Sequence, residues 1–540
     1  MGRQKRFVQG RQKRFWEILP GATSWTILIT PVILSLFYPI SVAYFIICFD
    51  FYWLVKAVFM GGYLISGYLF MRTANQINWR EECLRFANIA KLLTNNPKLI
   101  DTIKLPQKKF LDWPKDLKQI ITKNPDFPDP DEIFHVVILP NFRDDYPIIQ
   151  SAIKACKEAN WPSKRIIINV ALEAREGEIA KLRAAKLVDE FKNVFADLII
   201  TIHPDNIEGE LKGKSANITW AGRVIKKYIE EKGIAPENVI VSALDGDTRV
   251  SKEYFGCLTY KYLTAPERTK KTYQPIPLFN NNIWEIPPIN RIVAFGSSFW
   301  QMIESCRPHR LINFSSQAMS LKTLIDIDFW DTTIVSEDSK QYYRAFFRYS
   351  GNHKAIPLFT PVYMDAVSGK TLWQTLKNQY LQKRRWAYGV ENFSYVMTEF
   401  PRHKEIPFLK KFKIAFRLFE GSVSWATASL LIAFAGWLPI LLNPTFRSSI
   451  LAYNIPVIAS RLLTLAWIGV AVSTIIGLLL LPPRPPKVSK WKILEMVFQW
   501  ILVPVSAIFY GSIPALDAQT RLMLGKYLGF WVTPKIRSEK

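Results

Sequence analysis

The residues of this 540-residue chain best suited to chemistry are carboxylates at the ends of apolar runs. Asp245-Gly246-Asp247 follows VIVSAL directly. On extended backbone, residues two apart face the same side, so both carboxylates can address one cation, and the glycine lets a diphosphate approach closely. A hard divalent metal with oxygen ligands suits such a pair. By itself the tripeptide is equally a solvated turn; its place after a β-type run in a chain of net charge +25 favours a site. A second acidic group, Ser336-Glu337-Asp338, opens the helical pattern SKQYYRAFFRYSG. Acidic residues there favour the helix dipole, and a carboxylate in that place could also serve as a general base. In LQKRRWAYG, Gln382, Arg385 and Trp386 combine an indole with cations, which suits a sugar ring beside phosphates. The plainer reading, a juxtamembrane basic helix on anionic lipid, explains Lys383 and Arg384 but not the tryptophan.

The elements that must position these residues are legible in the apolar periodicity. After the turn-rich NPDFPDPDE, which predicts a boundary near Pro130, come FHVVILP (Phe134 to Pro140), RIIINVAL (Arg165 to Leu172), ADLIITIHP and ENVIVSAL (Glu237 to Leu244), separated by helical stretches. Short β-branched runs between helices of about 12 or more residues predict parallel strands with crossover helices, hence an α/β sheet. Ligands of such sheets bind beyond the carboxyl ends of the strands, where the acidic groups stand. The polar cluster Asn280-Asn281-Asn282-Ile283-Trp284-Glu285 lines an acceptor groove or serves capping and packing; both readings are open here.

Both ends of the chain are oily. No charged residue occurs from Leu19 to Cys48, and after Asp50 the apolar run resumes from Phe51 to Met71 with only Lys56, which predicts a hairpin of two spanning helices. A signal peptide would have a shorter apolar core and a small-residue cleavage site. Near the other end, Gly421 to Phe446, Leu462 to Pro483 and Met496 to Leu516 are uncharged. Six Lys/Arg precede Glu17, so the N-terminus is expected in the cytosol and the middle of the chain with it. Pro504 and Pro514 split the last apolar segment, which favours a kinked re-entrant or interfacial element, returning the basic tail to the cytosol, over a straight span. The five cysteines show no paired spacing and the five histidines no ligand spacing, so neither a disulfide framework nor a zinc site is expected. The expected organisation is therefore 1–72, basic N-terminus and two transmembrane helices; 73–130, helical linker; 131–395, α/β domain; 396–420, interfacial helix; 421–516, transmembrane and re-entrant helices; and 517–540, cytosolic tail.

Taken together and in this order, the motifs resemble those of the membrane-integrated family 2 glycosyltransferases, the broad group containing cellulose and hyaluronan synthases. Asp245-Gly246-Asp247 occupies the DxD place, Ser336-Glu337-Asp338 is similar to the TED motif, and Gln382 to Trp386 matches QxxRW. Lys214 and Asn217 resemble a lysine and an asparagine that approach the nucleotide, and Phe530-Trp531-Val532-Thr533-Pro534-Lys535 is similar to the FxVTxK gating loop. Two departures stand out. Pro140-Asn141-Phe142-Arg143-Asp144-Asp145 replaces the usual Pro-x-x-Asn-Glu, and Glu173 stands where paired aspartates usually hold the base.

The resemblance implies a GT-A (Rossmann-like) α/β cytosolic domain between α-helical transmembrane segments of a multi-pass inner-membrane protein. It implies inverting transfer of a sugar from a UDP- or GDP-sugar to a polysaccharide or glycolipid acceptor. Asp338, beside Glu337, would be the base. Asp247 and Asp245 would hold Mg²⁺ or Mn²⁺; Lys214, Asn217, Asp245, Glu173, Asp144, Gln382 and Arg385 would bind the donor, and Trp386 the acceptor. The alternatives are single-step transfer to a polyprenyl phosphate or other lipid, and a catalytically silent scaffold. The charge flanks apolar segments and no base-reading module occurs, so nucleic acid is not an expected partner, whereas membrane lipids are.

Overall fold

The computed structural model describes residues 2–95, 107–108, 111–123, 128–529 and 531. The chain divides into two compact units: Gly67–Phe279 with Trp300–Asp365, and Met1–Ser66 with Asn280–Phe299 and Ala366–Lys540. The fold class is the expected α/β one, a sheet with crossover helices, flanked in sequence by helices long and apolar enough to cross a membrane.

The first unit is built on an eight-stranded sheet: β1 (Phe134–Pro140), β2 (Ile166–Glu173), β3 (Asp197–His203), β4 (Val239–Ala243), β5 (Arg249–Val250), β6 (Lys271–Leu278), β7 (Gln317–Ser320) and β8 (Lys354–Tyr363). Their order is β3-β2-β1-β4-β7-β6-β8-β5. β1 to β4 are mutually parallel, and β7 is antiparallel to both β4 and β6. The β-branched runs form the central strands because both faces are covered. Val137 and Leu139 enter one core with Ile168 and Val170, while Val136 and Ile138 enter the other with Ile167 and Val241, as the period of two requires. The crossover helices are α4 (Tyr146–Glu158), α5 (Glu178–Phe191) and α6 (Lys214–Glu231), and α7 (Tyr254–Thr264) follows β5. The strand order reverses between β1 and β4, so the loops after Pro140 and Leu244 open side by side. That is the place where α/β sheets leave a ligand crevice.

The apolar ends differ from expectation in one respect. The hairpin turns at Tyr38 and not at Asp50: α1 runs Gly2–Phe37 and α2 Pro39–Ala74. Pro39 suits the first turn of a helix and disfavours helical backbone at the residue before it, whereas a single carboxylate does not stop a helix. Ile27 and Leu28 accordingly pack with Val42 and Ile46, and Asp50 is buried within α2. The helix α3 (Trp79–Asn95) follows after a short turn.

In the second unit, α8 (Pro288–Ser305) begins, and α10 (Leu372–Ala387) carries the Gln382 to Trp386 motif. The helix α11 (Phe408–Phe434) is continuous, taking in the end of the segment expected as interfacial; α12 (Ile450–Leu479) follows. The last apolar segment stays helical through its prolines but changes helix type along the way. A helix α13 (Lys492–Phe498) passes into a 3₁₀ stretch at Gln499–Leu502 and a π-helical stretch at Ala507–Ser512 before α14 (Ile513–Met523). Among the described residues, Gln12–Phe37, Pro39–Ala74, Phe408–Leu442 and Lys492–Met523 are long and apolar enough to span, and Thr464–Leu479 is a shorter apolar stretch. Of the gating-loop likeness only Trp531 falls within the described residues.

Candidate active site

The loop after β4, the start of α6 and the start of α9 (Glu337–Arg348) converge on one ammonium group. Lys214, the first residue of α6, places Nζ 2.7 Å from Asp245 Oδ1, 3.4 Å from Glu337 Oε1 and 3.5 Å from Asp338 Oδ2. Burial alone would favour loss of its proton, but Asp245, Asp338 and Glu337 hold it protonated above the ordinary lysine range. The carboxylates are anchored from other directions too. Ser315 Oγ donates to Asp245 Oδ2 at 2.7 Å, and Gln317 Nε2, on β7, donates to Asp338 Oδ1 at 3.2 Å. The two members of the helix-start pair differ in access: the Glu337 side chain is 4% exposed and that of Asp338 20%.

Asp247 is buried, and its Oδ2 accepts the backbone N–H of Asp365 at 2.9 Å. Between the two aspartates, a Cβ on Gly246 would lie 2.9 Å from the Pro140 carbonyl oxygen and 3.3 Å from Asp144 Oδ2. The glycine is therefore required by the close approach of the β1 loop, and it brings Asp144 up to the Asp245-Gly246-Asp247 turn. Asp144 also accepts from Asn141 Nδ2 at 3.1 Å. The departure from Pro-x-x-Asn-Glu thus still delivers a carboxylate to the turn.

One strand further out, Glu173 ends β2, buried and paired with Arg175. Burial raises its pKa and the guanidinium opposes the rise. Glu173, Arg175, His203 and Glu210 line a narrow cleft of about 30 Å³, where His203 Nε2 and Glu210 Oε2 are 2.9 Å apart. Asn217 Nδ2 donates to the Ala171 carbonyl at 2.8 Å, tying α6 to β2.

In the other unit, Gln382 Oε1 accepts from Gln379 Nε2 at 3.1 Å, and Gln379 Oε1 accepts from Asn290 Nδ2 at 3.1 Å. Lys383 Nζ donates to Ser297 Oγ at 2.9 Å and lies 4.6 Å from the centre of the Trp386 ring. Arg384 and Tyr380 both reach Asp517 Oδ2 at 3.0 Å. Lys383 and Arg384 are thus committed to protein partners, which removes the lipid-surface reading for them. The Asn280 cluster serves packing: Asn280 Nδ2 donates to the Leu480 carbonyl, Trp284 Nε1 to that of Pro482, and Asn282 bonds the Ala366 backbone through both amide atoms.

The structure brings Lys214, Asp245, Glu337 and Asp338 together and sets Asp247 and Asp144 at the same turn. Glu173 lies with a separate cleft, and Gln382, Arg385 and Trp386 belong to the other unit. Ser315, Gln317, Asp365, Arg175 and His203 carry no spacing signal that sequence reasoning could use. Among the described residues no group of three or more His, Cys, Asp or Glu gathers around a metal position. The donor set nevertheless fits a hard cation held by one or two carboxylates and completed by substrate phosphates, and the ammonium of Lys214 already stands among such carboxylates.

No family model and no curated protein matches the chain. Among solved structures it is similar to the mannosyltransferase PcManGT from Pyrobaculum calidifontis in complex with GDP-Man and Mn²⁺, with a TM-score of 0.35, 14% identity, and coverage of 83% of this chain and 99% of that one. TarS 1–349 of S. aureus with UDP-GlcNAc gives a TM-score of 0.29 at 12% identity over 64% of this chain and 90% of that one. GalNAc-T7 with UDP, GalNAc and Mn²⁺ gives 0.28 at 9% identity over 54% and 57%.

Proposed function

We propose that the chain is a membrane-integrated glycosyltransferase of family 2 type that transfers a sugar, with inversion, from a nucleotide diphosphate sugar to a carbohydrate or lipid acceptor. The observation that carries this reading is the convergence of Asp245, Glu337 and Asp338 on Lys214 at the switch point of a parallel sheet. Asp338 receives the proton of the acceptor hydroxyl as its oxygen attacks the anomeric carbon and the nucleotide diphosphate departs. Gln317 fixes the carboxylate that does so. Lys214 offsets negative charge at the leaving group. Asp247 and Asp245 would hold Mg²⁺ or Mn²⁺, which supplies further neutralisation of the diphosphate when bound. Gln382 and Arg385 for the diphosphate, and Trp386 for the acceptor, rest on the motif alone.

The proposed setting is a multi-pass inner membrane with the transferase module, 131–395, in the cytosol. Arg14, near the basic start of α1, donates to the carbonyls of Leu522 (2.7 Å) and Met523 at the end of α14. This supports a re-entrant course for 492–523 that keeps both termini on one side. A tag on Lys540 reachable only from outside would overturn that topology.

The test of function is a panel of UDP- and GDP-sugars against purified membranes, reading nucleoside diphosphate release with and without Mg²⁺ or Mn²⁺. Release that depends on Asp338 is expected from at least one donor. Release from none would favour the silent scaffold. Transfer of a single sugar into the lipid fraction would select the single-step alternative.

A further inference from the structure

A polar cleft of about 430 Å³ in the sheet unit shares no lining residue with the Lys214 cluster. It is assembled from three places in the chain. Asn75, Gln76 and Asn78 come from the turn that leaves α2, Asn160 follows α4, and Ser251, Glu253 and Tyr363 come from the ends of β5 and β8.

The frame of this cleft is fixed by hydrogen bonds. Buried Glu253 accepts the backbone N–H of Trp79 at 3.0 Å and Asn160 Nδ2 at 3.1 Å, and the same Nδ2 donates to Asn78 Oδ1 at 2.9 Å. Ser251 is 6% exposed, and its buried hydroxyl has no hydrogen-bond partner among the described residues. A buried hydroxyl left unpaired costs roughly 1–3 kcal/mol, so its place on a cleft wall calls for a ligand or water.

The lining chemistry selects the ligand. The lining holds one lysine, Lys252, and one glutamate, Glu253, so its formal charges cancel and the cleft offers no surplus cation for an anion. What it presents is carboxamides, which donate and accept at once, a hydroxyl, and the ring of Tyr363. Sugar hydroxyls likewise donate and accept, and the C–H face of a pyranose suits an aromatic ring. We propose that this cleft binds a hexose unit, as a saccharide distinct from the donor. Its position directly after the apolar helix α2 admits two sources of the same chemistry, a glycolipid head group and a soluble oligosaccharide.

The site is also coupled by bonding to the candidate active site. Tyr363 pairs with Arg249 on β5, and two residues further along the N–H of Asp365 holds Asp247. An occupant would brace the strand pair from which that N–H extends.

The test needs no turnover, so its outcome is separable from that of the transferase reading. The full chain is placed in glycolipid-free nanodiscs, without sugar-headed detergent, and saturation-transfer NMR is recorded with cellobiose, chitobiose and mannobiose. Signal from at least one disaccharide is expected, with a Kd of order 1 mM. It should weaken at least about tenfold in Asn75→Ala/Gln76→Ala, whose exposed side chains leave the fold intact, and persist in Asp338→Asn. Nanodiscs carrying a diglucosyl lipid form the second arm. Competition there, lost in Asn75→Ala/Gln76→Ala, assigns the head-group source, and its absence assigns the soluble one. No signal in either arm, or signals indifferent to Asn75→Ala/Gln76→Ala, would overturn the proposal.

Discussion

Adding one methyl group at Gly246 should separate the geometry of the candidate site from the stability of the fold. In Gly246→Ala the new Cβ would stand 2.9 Å from the Pro140 carbonyl oxygen, at the end of a central strand that cannot easily retreat. Ordinary contact lies near roughly 3.5 Å, so the turn bearing Asp245 and Asp247 must move by about half an ångström. Metal–ligand distances tolerate only about 0.2 Å, and a misplacement of about 1 Å can cost about a hundredfold in rate. Turnover should therefore fall by about tenfold or more, with the Mn²⁺ midpoint raised. The accompanying loss of stability should be that of ordinary overpacking, about 1–3 kcal/mol. Gly256→Ala is the matched control, since its Cβ would also meet backbone at 2.9 Å, at Arg80 N. It should lower Tm comparably and leave the metal midpoint alone. The assay is nucleoside diphosphate release across a Mn²⁺ titration, with thermal melting in parallel. Wild-type turnover and metal dependence in Gly246→Ala would refute the placement of the site.

Three further outcomes follow from the same structure. Asp338→Asn should reduce turnover by about 10²–10⁴ while donor binding, read by calorimetry, persists, and Glu337→Gln should cost less. His135 and His353 are buried and held neutral, with pKa values pushed down to about 3. The unfolded chain then binds more protons between pH 3 and 6.5, so stability should fall as pH drops through that window by up to about 1.4 kcal/mol per pH unit for each histidine, as melting temperature against pH would show. Burial likewise pushes Lys383 down to about 7. Below its unfolded value the charged form is penalised in the fold, so stability should rise with pH from about 7 to about 10.5, and Lys383→Met should remove that slope.

Much of this was legible in the sequence because the signals are local. β-branched runs, crossover helices and acidic groups after strands need only neighbouring residues to be recognised, and each stands where the periodicity puts it. What escaped depends on distant partners. Nothing near Lys383 and Arg384 in sequence announces Ser297 or Asp517. The turn at Tyr38 is hidden for another reason: the charge of Asp50 is a more conspicuous signal than Pro39. A carboxylate can be carried into the interior of a helix bundle, as Asp50 is, whereas Pro39 restricts the backbone before it whatever its surroundings.

The proposed choice of Asp338 over Glu337 as the base rests on more than the motif. Adjacent on the first turn of α9, both lie within 3.5 Å of Lys214, so the charge of the ammonium does not distinguish them. Access and orientation do. A general base must come within hydrogen-bond reach of a hydroxyl that arrives from outside the protein. Glu337 is nearly closed to such an approach, whereas Asp338 is about a fifth exposed and has one oxygen fixed by Gln317. In the proposed mechanism Glu337 contributes by holding Lys214 in place. Its loss should be partly restored by Glu337→Gln relative to Glu337→Ala, a rescue that a proton-accepting role would not permit.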